Sequence, residues 1–75
     1  MIIYCFDINS KNLKVYNKIK RRFYYNLAKL KKKWITKSVI ICSKRDEKFF
    51  DEFFSNYKNF LVLYKIKAKK IQHIY

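Results

Sequence analysis

A run of uncharged, mostly apolar residues opens the chain from Ile2 to Phe6 and ends at the carboxylate of Asp7. Continuous β-branched and aromatic runs of this kind predict a buried central strand. An acid at the end of such a strand, just before the polar residues Asn9 and Ser10, is expected at the edge of a sheet, where functional sites are commonly built. Asp7 is therefore the first candidate for a functional residue.

A second pattern follows, in which apolar residues recur at intervals of three and four. It predicts an amphipathic helix from residue 10 or 11 to residue 30, capped by Asn9 or Ser10. The apolar positions are Leu13, Tyr16, Ile19, Phe23, Leu27 and Leu30. The other faces of the helix are basic, and they form either a solvated surface or a binding surface. Their cations are Lys11, Lys14, Lys18, Lys20, Arg21, Arg22 and Lys29.

Strand-forming residues dominate positions 34–42 and predict one bent strand, or two short strands broken near Lys37 and Ser38. A turn over residues 43–46 precedes a second helix, for which Ser43 or Asp46 is the expected cap. A clear strand follows at residues 60–66, and residues 67–75 form a basic tail or a last edge strand. The apolar face of the second helix consists of Phe49, Phe50, Phe53, Phe54 and Tyr57, and its four phenylalanines are expected to pack in the core rather than to stack on bases.

This order, β-α-β(β)-α-β(β), predicts a single α+β domain spanning residues 1–75. The simplest match is a ferredoxin-like βαββαβ sandwich, with two helices on one face of an antiparallel sheet. The other face of the sheet is then open, which favours dimerisation or nucleic-acid stacking. Because 75 residues bury only a modest core, a second copy of the chain is the expected source of added stability.

The net charge is +14, with 19 lysines and arginines against 5 acids. This excess calls for a polyanionic partner: DNA, RNA, an anionic membrane or an acidic protein. Nucleic acid is the favoured partner, since no apolar run approaches the roughly 18 residues of a spanning helix. Glycine and proline are absent, which indicates an AT-rich source genome, and part of the lysine excess can follow from that bias. The candidate nucleic-acid-binding residues are Lys14, Lys18, Arg21, Arg22, Lys31, Lys32, Lys33 and Lys37.

The two cysteines, Cys5 and Cys42, both lie in apolar runs. They are interpreted as buried thiols in a reducing, cytoplasmic compartment, with a disulfide between neighbouring strands as the less favoured alternative. Four aromatic residues could stack on bases, although packing in the core or at an interface is favoured for each. These are Tyr4, Tyr24, Tyr25 and Trp34.

The order of elements and several short strings resemble the Cas2 family of CRISPR adaptation proteins and the related VapD ribonucleases. The resemblance covers nearly the whole chain, but the chain is shorter than usual members and lacks the glycines that the family carries around its second and third strands. The matching strings are Ile2-Ile3-Tyr4-Cys5-Phe6-Asp7-Ile8, Lys20-Arg21-Arg22, Ser38-Val39-Ile40-Ile41 and the strand with basic tail over residues 60–70.

The resemblance implies a homodimer formed through open sheets, with the first-strand Asp7 of each subunit near the interface. In active family members this pair of acids is thought to hold Mg²⁺ or Mn²⁺ for hydrolysis of phosphodiester bonds in DNA or RNA. Asp7 is accordingly the only predicted catalytic and metal-binding residue, and its alternatives are a helix cap or a salt bridge. The competing functions are a non-catalytic nucleic-acid-binding or architectural protein and a phage or mobile-element protein that docks on an acidic partner, including one in a CRISPR complex.

Overall fold

The structure is a computed structural model that describes residues 1–9 and 11–75. Four strands and two helices follow one another in the order β-α-β-β-α-β, with short 3₁₀ turns at Lys44–Asp46 and Lys58–Phe60. The protein is therefore an α+β domain, as the hydrophobic pattern predicts. The elements are β1 (Ile2–Ile8), α1 (Leu13–Ala28), β2 (Lys33–Thr36), β3 (Val39–Cys42), α2 (Glu47–Ser55) and β4 (Leu61–Lys67).

The four strands form one sheet in the order β2-β3-β1-β4, and every neighbouring pair is antiparallel. The apolar β1 lies between two partners, which fits the prediction of a central strand. β4 pairs with β1 along its whole length, whereas β3 pairs only with residues 2–5 of β1. The far end of β1 therefore has a strand on one side only, and this unequal pairing creates the groove described below.

The core lies between the sheet and both helices. Tyr4 and Phe6 point from one face of β1, and their rings contact the rings of Phe23 in α1 and Phe54 in α2 at centroid distances of 4.9–5.7 Å. Because the same face of β1 meets both helices, the helices lie on one side of the sheet. No polar or charged residue is buried in the described part of the chain. The buried residues are Ile2, Tyr4, Phe6, Phe23, Leu27, Ile40, Cys42, Phe50 and Phe54.

Helix α1 begins later than the sequence predicts, at Leu13, and it ends at Ala28. Its cap is Asn12, whose side-chain oxygen accepts hydrogen bonds from the backbone N–H groups of Lys14 and Val15. The expected cap at Asn9 is therefore wrong; its N–H donates to the Phe60 carbonyl across the sheet instead. The alternative cap, Ser10, lies outside the described residues. Leu13, the first residue of α1, is 72% exposed and does not contribute to the core.

The segment after α1 forms two short strands, which matches the second of the two sequence-based alternatives. The break falls at Lys37 and Ser38, where the Ser38 N–H donates to Thr36 Oγ1 at 3.1 Å and tightens the turn. Asp46 occupies the cap position of α2, but neither its side chain nor that of Ser43 bonds a helix N–H; the Ser43 hydroxyl donates to the Asp46 carboxylate instead. On α2, Phe50 and Phe54 are buried as predicted, whereas Phe49 is 56% exposed.

The face of the sheet opposite the helices is open and largely apolar. The register places Ile3 of β1 beside Ile41 of β3 and Ile66 of β4, and places Cys5 beside Tyr64. Tyr64 is 68% exposed. Cys42 pairs with Ile2 and therefore points into the core, while Cys5 points to the open face. Both thiols are free and lie on opposite faces of the sheet, which rules out a disulfide between them.

Residues 68–75 extend beyond β4 without forming a strand, so the edge-strand alternative for this tail is not observed. The tail is anchored at its start, where Met1 and Ala68 exchange two hydrogen bonds of 2.8 and 3.0 Å between their main chains. In the described part of the chain, no helix has the length and apolar character needed to cross a membrane.

Candidate nucleic-acid interface

The cations of α1 gather on the side of the helix away from the core. Lys14, Lys18, Arg21 and Arg22 are all exposed, and their spacing of three and four places them along one stripe of the helix. No acid occurs in the sequence between Asp7 and Asp46. Across the residues that the structure describes, ion pairs engage only three cations: Arg45, Lys65 and Lys67. The α1 stripe is therefore an unneutralised basic surface.

The remaining predicted cations lie at the two ends of β2. Lys31 and Lys33 are exposed beside the turn from α1, and Lys37 is exposed at the tip of the β2–β3 hairpin. Lys32 is half-buried: its ammonium donates to the Leu30 carbonyl at 2.9 Å and lies 5.3 Å from the centre of the Trp34 ring. Burial lowers the pKa of Lys32. Lys32 thus closes the turn, while the other three remain available to a partner.

Two acids near the start of α2 have structural partners on the sheet. The Lys65 ammonium donates to Glu47 Oε2 at 2.8 Å and to Asp51 Oδ2 at 2.9 Å, and the Tyr4 hydroxyl donates to Asp51 Oδ1 at 2.7 Å. Hydrogen bonding to Lys65 holds the pKa of Glu47 below its ordinary value. Partial burial tends to raise the pKa of Asp51, but the hydrogen bonds from Tyr4 and Lys65 outweigh it and the net shift is downward. This cluster joins α2 to β1 and β4.

Asp7 stands apart from that cluster, exposed in β1 opposite Val62 of β4. It caps no helix, because Asn12 caps α1. Within residues 1–9 and 11–75 it makes no ion pair. Neither the helix cap nor the salt bridge considered for Asp7 is therefore observed there. The same residues contain no group of three or more His, Cys, Asp or Glu side chains that could hold a metal. A single carboxylate supplies only part of the oxygen-ligand set that Mg²⁺ prefers.

An aromatic groove of about 650 Å³ lies beside Asp7. Its floor is the end of β1, residues 6–8, beyond the point where β3 stops pairing. One wall is a row on α1 and the other is the β2–β3 hairpin. We call it the β1-end groove; its wall residues are Tyr16, Lys20, Tyr24, Trp34, Thr36, Lys37 and Ser38.

Two walls of the β1-end groove are joined by the side chain of Tyr24. Its hydroxyl donates to the Lys37 carbonyl at 2.7 Å, and its ring stacks on that of Trp34 with an interplanar angle of 25° and a centroid distance of 6.1 Å. Burial raises the pKa of Tyr24, with further contributions from Tyr16 and from the negative charge of Asp7. The tyrosine therefore stays protonated at neutral pH and holds the hairpin against α1.

The four aromatic residues considered for base stacking lie in different environments. Tyr4 is fully buried in the core. Tyr25 is 65% exposed on the outer surface of α1, with the Lys29 ammonium 4.2 Å from its ring centre. Tyr24 and Trp34 come together in the groove, where Trp34 remains 39% exposed. Only the last two combine an aromatic surface with a concave site.

Sequence reasoning placed Lys20 on the basic faces of α1 but did not assign Tyr16, Thr36 or Ser38 to a site. A usable signal was present, since Tyr16, Lys20 and Tyr24 are spaced by four residues and so lie along one row of α1. The hairpin residues opposite them carry no such signal, because their position depends on the pairing of β2 with β3. Comparisons of this chain with protein-family models, curated proteins and solved structures gave no match.

Proposed function

We propose that this protein binds nucleic acid through the α1 stripe, the turn before β2 and the tip of the β2–β3 hairpin. The observation that carries the proposal is the separation of charge. Glu47 and Asp51 are already paired with Lys65 on β4, while the α1 stripe has no ion-pair partner among the described residues. Unneutralised lysine and arginine gain affinity for phosphate by releasing its counterions.

We also propose that the domain is ferredoxin-like. The alternation of strands and helices and the antiparallel order β2-β3-β1-β4 are compatible with that fold. Two free thiols and a strongly basic surface agree with a reducing cytoplasmic environment. The fold and the compartment do not by themselves identify a binding partner or a reaction.

A homodimer formed through the open sheet face is the second part of the proposal. The support is the exposed apolar character of that face, including Val62, Tyr64 and Ile66 of β4. Packing two such faces together would remove this surface from water and stabilise a small domain. The molar mass in solution, measured by light scattering over a range of protein concentrations, tests it, and a monomer at every concentration would refute it.

Phosphodiester hydrolysis is a second candidate function, favoured by the position of Asp7. This exposed carboxylate belongs to the row of β1 that faces the open side, and within the described residues it has no ion-pair partner. Two copies contributed by a dimer would offer the pair of oxygen ligands that one chain lacks, and a divalent metal held there would offset charge on a scissile phosphate. The proposal of catalysis therefore depends on the proposal of a dimer.

The experiment that tests both functions is incubation with labelled single- and double-stranded DNA and RNA, with and without Mg²⁺ or Mn²⁺. Wild type is compared with Asp7→Ala and with Glu52→Ala, a matched loss of an exposed acid that makes no ion pair in the described part of the chain. A hydrolase loses cleavage in Asp7→Ala alone. A binding protein retains affinity in both variants and cleaves nothing, and absence of binding at low salt would overturn the main proposal.

A further inference from the structure

The β1-end groove offers an aromatic wall, two cations and one carboxylate in a single concavity. Its volume of about 650 Å³ lies within the roughly 300–1,000 Å³ typical of small-ligand sites. The hydrophobic periodicity of α1 explains why one face of that helix packs in the core. It does not explain why Trp34, on β2, remains partly exposed. An exposed indole held in place beside lysines is a feature that base recognition uses.

Contacts within the protein hold the wall in place. The hydrogen bond from Tyr24 to the Lys37 carbonyl fixes the ring relative to the hairpin, and Trp34 stacks on that ring. A centroid distance of 6.1 Å leaves no room for a base between the two rings, so a flat ligand would stack on the exposed side of the pair. A preformed surface of this kind loses little side-chain freedom when it binds.

Charge around the wall distinguishes among flat ligands. Lys20 and Lys37 are exposed on opposite walls and can each contact a phosphate, while Asp7, which also lines the groove, repels one. A carboxylate accepts hydrogen bonds from the amino groups of bases. The groove therefore suits a molecule with an aromatic base at one end and phosphate at the other.

We propose that the β1-end groove receives an unstacked base of a single-stranded nucleic acid, with the base against Trp34 and Tyr24 and the adjoining phosphate between Lys20 and Lys37. This inference rests on the proposed nucleic-acid function and names the form of nucleic acid that the site accepts. Bases within a duplex have both ring faces covered by their neighbours, so a duplex can reach the α1 stripe but not the aromatic wall.

The test uses the single tryptophan of the chain as its reporter. A mixed-sequence DNA strand of about ten nucleotides, the RNA of the same sequence and the DNA duplex are each titrated into the 75-residue protein. Trp34 fluorescence reports stacking, and fluorescence anisotropy of an end-labelled strand reports total binding. A single strand is expected to quench Trp34 at saturation, whereas the duplex binds without quenching.

Variants separate the groove from the general basic surface. Replacing the ring in Tyr24→Leu should weaken single-strand binding about five- to a hundredfold, the effect of removing one base-stacking contact. Tyr25→Leu, the same change at the neighbouring exposed position, should leave both affinity and quenching nearly as in wild type. Tyr24→Phe keeps the ring and should retain quenching. If Tyr24→Leu does not fold, Lys20→Gln at an exposed position replaces it, with weaker single-strand binding expected.

The outcomes discriminate between this inference and the function on which it rests. Binding seen by anisotropy with no change in Trp34 fluorescence, or equal quenching by single strand and duplex, would overturn the groove assignment and leave nucleic-acid binding intact. An equal loss of affinity in Tyr24→Leu and Tyr25→Leu would overturn it as well. If neither strand nor duplex binds at low salt, the proposed function and the groove assignment both fall.

Discussion

The hydroxyl of Tyr4, on the central strand, donates a 2.7 Å hydrogen bond to the carboxylate of Asp51 on α2. It also lies 3.0 Å from the Glu47 carbonyl oxygen. Burial, followed by the hydrogen bond and charge of Asp51, raises the pKa of this tyrosine well above its usual range, so it remains a neutral donor. A polar bond at the margin of an otherwise apolar core thus orients α2 on the sheet.

Tyr4→Phe is expected to lower the free energy of unfolding by about 1.5–3 kcal/mol, because it removes a hydrogen bond to a charged group while keeping the buried ring. Urea denaturation followed by circular dichroism measures the change. Tyr64→Phe is the matched control, because Tyr64 is exposed and forms no hydrogen bond among the described residues. This variant should change the free energy of unfolding by no more than about 0.5 kcal/mol. Equal stabilities of the two variants would contradict the role assigned to the Tyr4 hydroxyl.

The cluster of Glu47, Asp51 and Lys65 predicts the pH dependence of stability. The pKa values of both carboxyls are lowered from ordinary values of 4.5 and 3.8, so their contribution is present above those values and is lost as pH falls below them. The pKa of Lys65 is raised from 10.5, chiefly by its hydrogen bond to Glu47, so its contribution is present below that value and is lost as pH rises beyond it. The cluster therefore contributes fully between about pH 5 and pH 10.

Asp51→Asn should accordingly be less stable than wild type at neutral pH, and the difference should shrink as the pH falls below about 4. Urea denaturation at a series of pH values between neutral and acid measures this difference. Glu52→Gln, which removes a nearby carboxylate without an ion pair in the described residues, should show a smaller loss at neutral pH. A difference for Asp51→Asn that stays constant across the series would show that its charge is not involved.

The two thiols should differ in reactivity, because they lie on opposite faces of β1 and β3. Burial raises the pKa of Cys42 to about 11, so it is a buried thiol with almost no thiolate at neutral pH. Cys5 is only half-buried on the open face. A thiol reagent followed by mass spectrometry should modify Cys5 in dilute native protein and Cys42 only after unfolding.

Labelling of Cys5 also reports on the proposed dimer. Because Cys5 lies on the open face, a dimer formed through that face should protect it as the protein concentration rises. Cys42 modified before Cys5 in the native protein would contradict the assignment of faces. Labelling of Cys5 that does not depend on concentration would speak against the dimer while leaving the fold intact.

The α1 stripe predicts a specific dependence of binding on salt. Each cation that contacts a phosphate contributes about 0.7–0.9 to the slope of log affinity against log salt. A triple variant, Lys14→Gln with Lys18→Gln and Arg21→Gln, should therefore reduce that slope by about 2 to 3. Titrations of a labelled strand at several salt concentrations measure it.

A matched triple variant with glutamine in place of Lys44, Lys48 and Lys58 removes the same charge from exposed positions outside α1. Its slope should remain close to that of wild type if binding is localised to the stripe. Equal slopes for the two triple variants would mean that binding follows net charge alone and that the stripe is not the interface.

The local hydrophobic pattern predicts much of the architecture. The apolar run of β1 predicts its central place, and the rows of Phe23 with Leu27 and of Phe50 with Phe54 predict which faces of the helices enter the core. These features could be predicted because helix and strand periodicity is a property of neighbouring residues. The basic character of α1 is equally visible, since its cations all lie within one short stretch of the sequence.

The candidate sites depended on pairing between distant segments. Only the tertiary structure decided that β3 stops opposite Cys5 while β4 continues to Ile8, and that difference opens the groove beside Asp7. It likewise decided that Tyr4 meets Asp51 and that the two cysteines face apart. Strand register and the end of a hairpin are determined by contacts far apart in the chain, so hydrophobic spacing alone could identify Asp7 as unusual but not the residues that surround it.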